Sequence, residues 1–333
     1  MTAPILHGGG ITEAAARFGG TPGDWLDLST GINPCPVSLP EIDPHIWHRL
    51  PDRYVEEAAR LAASRYYRTG DIMPLPVPGT QAAIQLLPRL VGTSKRAAVF
   101  APTYGEYARV LAVAGIAVDS VERADDLTAA HRLAVVVNPN NPTGRLFLPE
   151  EILGMAEAMK AHGGLLVVDE AFGDLEPDAS VARYAAAFDN LIVFRSFGKF
   201  FGLAGLRLGF VAAGAPVLRA FGEWLGPWAV SGPALAISAK LMEGDTDAIA
   251  RGILARKAGL DAVLRTAGLK IAGGTGLFTL IENKRAYELH TALCEVHVLT
   301  RRFDYNPHWL RIGLTPDENG DRRLADALQR TGV

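Results

Sequence analysis

Cysteine is nearly absent from the chain: Cys35 and Cys294 are the only two among 333 residues. Two thiols cannot build a disulfide framework or a four-thiolate metal site, and no metal site is expected. No apolar run approaches the roughly 20 residues needed to cross a bilayer. The long ones, such as 133–137 and 165–168, are strand-sized. Residues 1–10 carry neither a basic region nor an apolar core, so no signal peptide is expected and a cytoplasmic location is. Charge of one sign is also lacking. The 33 Lys+Arg oppose 36 Asp+Glu for a net charge of −3, which leaves no basic footprint for nucleic acid. Internal repeats, low-complexity tracts and long charge blocks are missing as well.

Hydrophobic residues, in contrast, reach 49% and charged residues 21%, as in folded globular chains. The length allows one large domain or two ordinary ones. Short β-branched runs at 97–101, 133–138, 165–169, 191–195 and 208–213 end in Gly, Pro, Asn, Asp or a polar neighbour. They read as strands buried on both faces of a parallel sheet. Helical patterns lie between them at 79–91, 105–114 and 149–162, the last opened by Pro149-Glu150-Glu151. Strand–helix alternation predicts an α/β fold with a mostly parallel central sheet. After about residue 214 the pattern changes. Helices are expected at 246–267, 286–294 and 317–329, and strands at 269–272, 276–281, 297–301 and 309–313, which describes a smaller α+β domain. The expected organisation is an N-terminal arm over 1–45, extended and rich in turns, a large domain over 46–225 and a small domain over 226–333.

Ligands of open α/β sheets sit at the carboxyl ends of the strands, so the polar residues there are the candidates. Val77-Pro78-Gly79-Thr80-Gln81 sets a glycine and a hydroxyl at a helix start, where free N–H groups favour a phosphate. Asn138-Pro139-Asn140-Asn141-Pro142-Thr143-Gly144-Arg145 follows one strand, Asp169-Glu170-Ala171-Phe172 another, and Ser196-Phe197-Gly198-Lys199 a third, with Arg207 eight residues on. Taken singly, each is an ordinary turn, cap or surface charge.

In this order they resemble the fold-type I family of pyridoxal phosphate enzymes, the aspartate aminotransferase superfamily, from Gly79 through Arg311. The resemblance implies pyridoxal 5′-phosphate as cofactor. It implies that Lys199 bonds the cofactor aldehyde, that Asp169 keeps the pyridine nitrogen protonated and that Asn141 donates to the ring O3′. It further implies that Tyr104 stacks on the ring, and that Gly79, Thr80, Gln81, Ser196 and Arg207 hold the cofactor phosphate. Arg311, within the apolar stretch Trp309–Gly313, matches the arginine that holds a substrate α-carboxylate. Phe172 departs from the many relatives with a tyrosine there, and phenylalanine cannot donate to O3′.

The arm, His7-Gly8-Gly9-Gly10 followed by Leu26-Asp27-Leu28-Ser29-Thr30-Gly31-Ile32-Asn33-Pro34, resembles the branch of that family that decarboxylates L-threonine O-3-phosphate in cobalamin biosynthesis. The neighbouring branch, the histidinol-phosphate aminotransferases, is the alternative. Decarboxylation would yield (R)-1-amino-2-propanol O-2-phosphate. A doubly anionic substrate needs a second anion pocket beside Arg311. Arg145 matches the phosphate-binding arginine of the branch, His7 with the amides of Gly8 and Gly9 would complete the pocket, and Gly31 and Asn141 are further expected substrate-binding residues. The resemblance also implies a homodimer with a shared active site. In relatives, a tyrosine of the second subunit reaches the cofactor phosphate. Leu50 stands at that place, with Tyr54 four residues on.

Overall fold

The computed structural model of the chain describes residues 5, 7–92 and 95–331. Among these, the strands in chain order are β1 (Leu26–Asp27), β2 (Leu75–Val77), β3 (Arg96–Phe100), β4 (Ala117–Val121), β5 (His131–Val137), β6 (Leu165–Asp169), β7 (Leu191–Ser196), β8 (Gly209–Ala213), β9 (Lys270–Thr275), β10 (Phe278–Glu282), β11 (Val298–Leu299), β12 (Arg301–Phe303) and β13 (Asn306–Gly313). The chain divides into two compact units. One holds Val37–Asn141 and Arg145–Asp247; the other holds the residues through Pro36, Pro142–Gly144, and the chain from Ala248 on.

The first unit is built on a seven-stranded sheet in the order β2-β8-β7-β6-β5-β3-β4. The pairs from β7 to β4 are parallel, while β8 runs antiparallel to both its neighbours. Side chains alternate faces along a strand, and both faces are buried. Val99, Val135, Val167, Ile192 and Val211 join Leu87, Tyr107, Leu111 and Phe221 in one core. Ala98, Val136, Val168, Val193 and Ala212 join Ile152, Met155 and Met159 in the other. This double burial explains the near-continuous apolar runs. The helix Pro149–Ala161 begins where the Glu151 carboxylate accepts from the Leu148 N–H at 2.7 Å. The pattern at 79–91 proves to be two helices, Thr80–Leu86 and Pro88–Val91, because Pro88 has no N–H to continue the ladder.

The first unit extends through Asp247, whereas the sequence pattern places its end at 225. Helix Gly232–Met242 packs on helix Arg53–Tyr66 of the same unit. The second unit holds an antiparallel sheet in the order β12-β13-β10-β9. Its core includes Leu260, Leu264, Phe278, Leu280, Leu289, Leu310 and Ile312. The N-terminal arm is not simply extended. It contains the helix Ile11–Phe18, whose Ala14 packs with Trp25, Cys294 and Leu299. It also contains β1, which pairs in parallel with β11. No helix among the described residues is long and apolar enough to cross a membrane.

Candidate active site

Strand register gathers most of the candidates at one edge of the first unit. Val137 pairs with Asp169, Asp169 with Phe194, and Ser196 with Gly209, which also pairs with Val77. The parallel strands end at this edge. The antiparallel β8 begins there, and β2 ends there. Gly79–Gln81, Tyr104, Asn138–Asn141, Asp169, Ser196, Lys199 and Arg207 therefore leave the sheet on the same side.

Gly79 and Arg207 define one corner. Gly79 has φ +74°, a conformation that disfavours any side chain, and a Cβ there would stand 3.0 Å from Arg207 Nη2, so the guanidinium would have to give way. Arg207 is itself left-handed, at φ +53°. A Cβ at Gly209 would come within 2.9 Å of the Thr80 nitrogen and of the Arg195 carbonyl. Backbone, Thr80 and guanidinium are thus pressed into a small polar cradle.

Asp169 is the buried carboxylate of the site, 4% exposed. Tyr107 Oη donates to its Oδ2 at 2.7 Å, and the Ala171 N–H donates to Oδ1 at 3.0 Å. Burial pushes its pKa up; Lys199 and the Tyr107 hydrogen bond oppose that rise. Lys199 Nζ lies 3.4 Å from Ser196 Oγ and 5.3 Å from the centroid of the buried Phe172 ring. Tyr104 Oη donates to Gln81 Oε1 at 3.1 Å, and Gln81 Nε2 donates to Glu106 Oε2 at 2.8 Å. Glu106 is 3% exposed and is paired with Arg109. Tyr107 and Glu106 both escape the sequence reading. Tyr107 looks like one more apolar position of the helix Glu106–Val113, and its period gives no hint of a phenol aimed at Asp169.

The loop that presents Asn141 is locked on its N-terminal side. Asn138 donates to and accepts from the Phe147 backbone, at 3.1 and 2.8 Å. Thr103 Oγ1 donates to Asn140 Oδ1 at 2.6 Å, and Asn140 Nδ2 donates to the Pro102 carbonyl at 2.9 Å. Arg145 Nη1 donates to the Glu122 carbonyl at 3.0 Å, and its guanidinium lies 4.1 Å from the Phe147 ring centroid.

Neighbouring residues on β7 and at the end of β6 point to the other face. There Arg195, 4% exposed, binds Glu170 Oε2 at 2.7 Å and Asp174 Oδ1 at 3.3 Å. Ser180 and the Val181 N–H also donate to Glu170, and Tyr66 Oη donates to Asp174 at 3.0 Å. Burial pushes the Asp174 carboxyl up against the pull of Arg195. This buried network ties the segment after Asp169 to the strand that leads to Lys199.

His7, Gly8, Gly31 and Arg311 belong to the second unit. Arg311, 7% exposed on β13, donates from Nη2 to the Ser29 carbonyl at 2.7 Å and lies 5.0 Å from the Phe278 ring centroid. Gly31 is buried and Gly8 half-buried, while His7 is exposed. The Gly9 N–H, expected to face substrate, donates to Ser29 Oγ at 2.7 Å.

Residues 24–328 match the family model described as aminotransferase class I and II. The chain belongs to this family. Within it, the chain is 68% identical over 330 residues to a threonine-phosphate decarboxylase from Sinorhizobium sp., covering 99% of each chain. It is 43% identical to a threonine-phosphate decarboxylase from Pseudomonas aeruginosa, with 97% of each covered. A histidinol-phosphate aminotransferase from Shewanella amazonensis is 32% identical over 68% of each chain. The class I and II fold recurs in the solved structure of a histidinol-phosphate aminotransferase from Sinorhizobium meliloti in complex with pyridoxal-5′-phosphate. That structure has a TM-score of 0.81 at 20% identity and covers 97% of this chain and 94% of the other.

Proposed function

We propose that the chain is a pyridoxal phosphate-dependent lyase that decarboxylates L-threonine O-3-phosphate to (R)-1-amino-2-propanol O-2-phosphate, the aminopropanol linker of cobalamin biosynthesis. One observation carries this reading: the 68% identity, over 99% of both chains, to a protein named threonine-phosphate decarboxylase. The aminotransferase alternative rests on a lower identity over a shorter stretch.

The donor set fits the cofactor. The space that a Cβ at Gly79 would meet is bounded by the Arg207 guanidinium and that at Gly209 by Thr80, and a glycine, a hydroxyl and a cation suit a phosphate, with Gln81 and Ser196 the further donors of this reading. The buried Asp169, held by Tyr107 and the Ala171 N–H, offers a charge partner for a protonated ring nitrogen. The bound cofactor supplies an electron sink for cleavage at the α-carbon of an amino acid. Lys199 would hold the cofactor through its amine, and its Nζ would supply the proton that the α-carbon takes up after the carboxylate is lost. Asp169 would hold a protonated ring nitrogen, Asn141 would donate to the ring O3′, and Tyr104 would supply an aromatic contact to the ring. Arg311 would bind the substrate carboxylate, and the resemblance assigns its phosphate to Arg145, His7, Gly8 and Gly31. Two anchors fix the substrate so that the Cα–carboxylate bond, not Cα–H, is the one aligned for cleavage.

The protein acts in this reading as a cytoplasmic homodimer with a shared active site. Trp47, Leu50 and Tyr54 are exposed at 63%, 64% and 81%, as expected of a surface covered by a second copy. The test supplies threonine phosphate, or histidinol phosphate with 2-oxoglutarate, to purified protein and follows carbon dioxide and cofactor absorbance. Carbon dioxide from threonine phosphate supports the reading, and its loss in Lys199→Ala completes it. A 2-oxo acid without carbon dioxide refutes it. Sedimentation that gives a monomer refutes the dimer.

A further inference from the structure

The second unit contains a stack of three backbone segments that the motifs do not announce. Leu28–Thr30 forms the middle layer. On one side Gly8 lies so close that a Cβ would stand 2.4 Å from the Ser29 carbonyl oxygen. On the other, the Gly313 N–H donates to the Leu28 carbonyl at 2.7 Å, and a Cβ on Gly313 would stand 2.2 Å from the Thr30 oxygen. Glycine is required on both sides, by contact rather than by conformation.

Ser29 is the centre of this stack and is 2% exposed. Its Oγ donates to Asp27 Oδ1 at 2.5 Å, and its N–H donates to the same oxygen at 2.8 Å. With the hydroxyl proton so committed, an Oγ lone pair faces the Gly9 N–H and accepts it at 2.7 Å. The Ser29 carbonyl takes the Arg311 guanidinium at 2.7 Å. One residue therefore sets the plane of the Gly8–Gly9 peptide with its side chain and the orientation of Arg311 with its backbone.

We infer that Ser29 is a positioning residue that spaces the two anion-binding elements of the second unit, and that its hydroxyl, oriented by Asp27, sets selectivity for a phosphorylated amino acid. The inference rests on the threonine phosphate reading above. It assigns the phosphate side of recognition to the Ser29 Oγ–Gly9 bond. It assigns the carboxylate side to a backbone contact that substitution of the side chain leaves in place.

The experiment compares wild type, Ser29→Ala, Asp27→Ala and the double variant as holoenzymes. It measures KM and kcat for threonine phosphate, competitive inhibition by L-threonine, and Tm. Loss of one buried hydrogen bond corresponds to about a fivefold to tenfold weakening. The expected result is a KM raised by about that factor in Ser29→Ala and Asp27→Ala, with kcat lowered less than about twofold. The inhibition constant of L-threonine, which lacks the phosphate, stays where it was. The double variant matches the worse single variant, because both substitutions break one device. If Ser29→Ala does not fold, Asp27→Ala carries the test. A parental KM, or equal weakening of threonine phosphate and L-threonine, overturns the inference. So does a fall in Tm without a change in selectivity. A wild type inactive on threonine phosphate refutes the function instead, so the two failures are separable.

Discussion

Tyr107→Phe removes one oxygen from a fully buried ring and leaves the packing volume nearly unchanged. What is lost is the 2.7 Å hydrogen bond to Asp169. A hydrogen bond to a charged group is worth about 1.5–3 kcal/mol. At 1.36 kcal/mol per pKa unit, its loss raises the Asp169 pKa by about one to two units. Burial has already pushed that pKa up, and Tyr107 is one of the groups opposing the rise. In the proposed function, where Asp169 partners the ring nitrogen, that charge partner is then lost at a higher pH. The acid limb of kcat/KM is expected to move up by about one to two units, while rates on the alkaline side of the limb change little. Stability should follow with a definite sign. A carboxyl whose folded pKa is raised costs nothing below its unfolded value near 3.9, and the cost grows as pH rises through the folded pKa. The Tm gap between wild type and variant should therefore be small below about pH 4 and should widen toward neutrality. An acid limb in the wild-type position, with a Tm gap that ignores pH, would refute this account of Asp169.

Gly144→Ala should cost more than about 3 kcal/mol in urea melts, since φ is +73° and the new Cβ would meet the Gly274 carbonyl oxygen at 1.8 Å. Arg195→Met strands Glu170 and Asp174 without a cation, and a loss of about 3–5 kcal/mol is expected by denaturant titration; an unchanged midpoint would show that the network carries no stability. His290, whose Nδ1 is 2.9 Å from Thr300 Oγ1, has its pKa lowered to about 4 by burial and by Arg302, Arg17 and Arg301. Its unfolded form binds a proton near 6.5, so stability present above that value is lost as pH falls toward about 4. His290→Gln should flatten that part of the Tm–pH curve.

The strands of the first unit's sheet that are buried on both faces were legible, because double burial writes itself as uninterrupted runs such as 133–137. So was the edge where Asn138, Asp169 and Ser196 leave the sheet. Strand β4 was not legible: it is an edge strand reading Ala-Val-Asp-Ser-Val, in which Asp119 and Ser120 reach water or Arg96. The direction of β8 was not legible either, since an apolar run reads the same both ways. The helix Ile11–Phe18 hid among glycines, its apolar side being only Ile11, Ala14, Ala15 and Phe18. Tyr107, Glu106 and Ser29 are invisible for a common reason. Each acts through a tertiary hydrogen bond, and neither period nor spacing records those.

The short insertion Pro142–Gly144 and the arm through Pro36 both belong to the unit that otherwise begins at Ala248. The Gly274 N–H donates to the Thr143 carbonyl, and β11 has β1 as its partner. The C-terminal quarter is thus not a transplantable module. An exchange of residues 248–333 with a relative would import a sheet whose complementary backbone lies in two other places in the gene. Leu28–Thr30 and Thr143–Gly144 would have to travel with it. Recombination within this family therefore has few permissible crossover points, and the arm and the C-terminal sheet are expected to be inherited as one unit despite the roughly 200 residues between them.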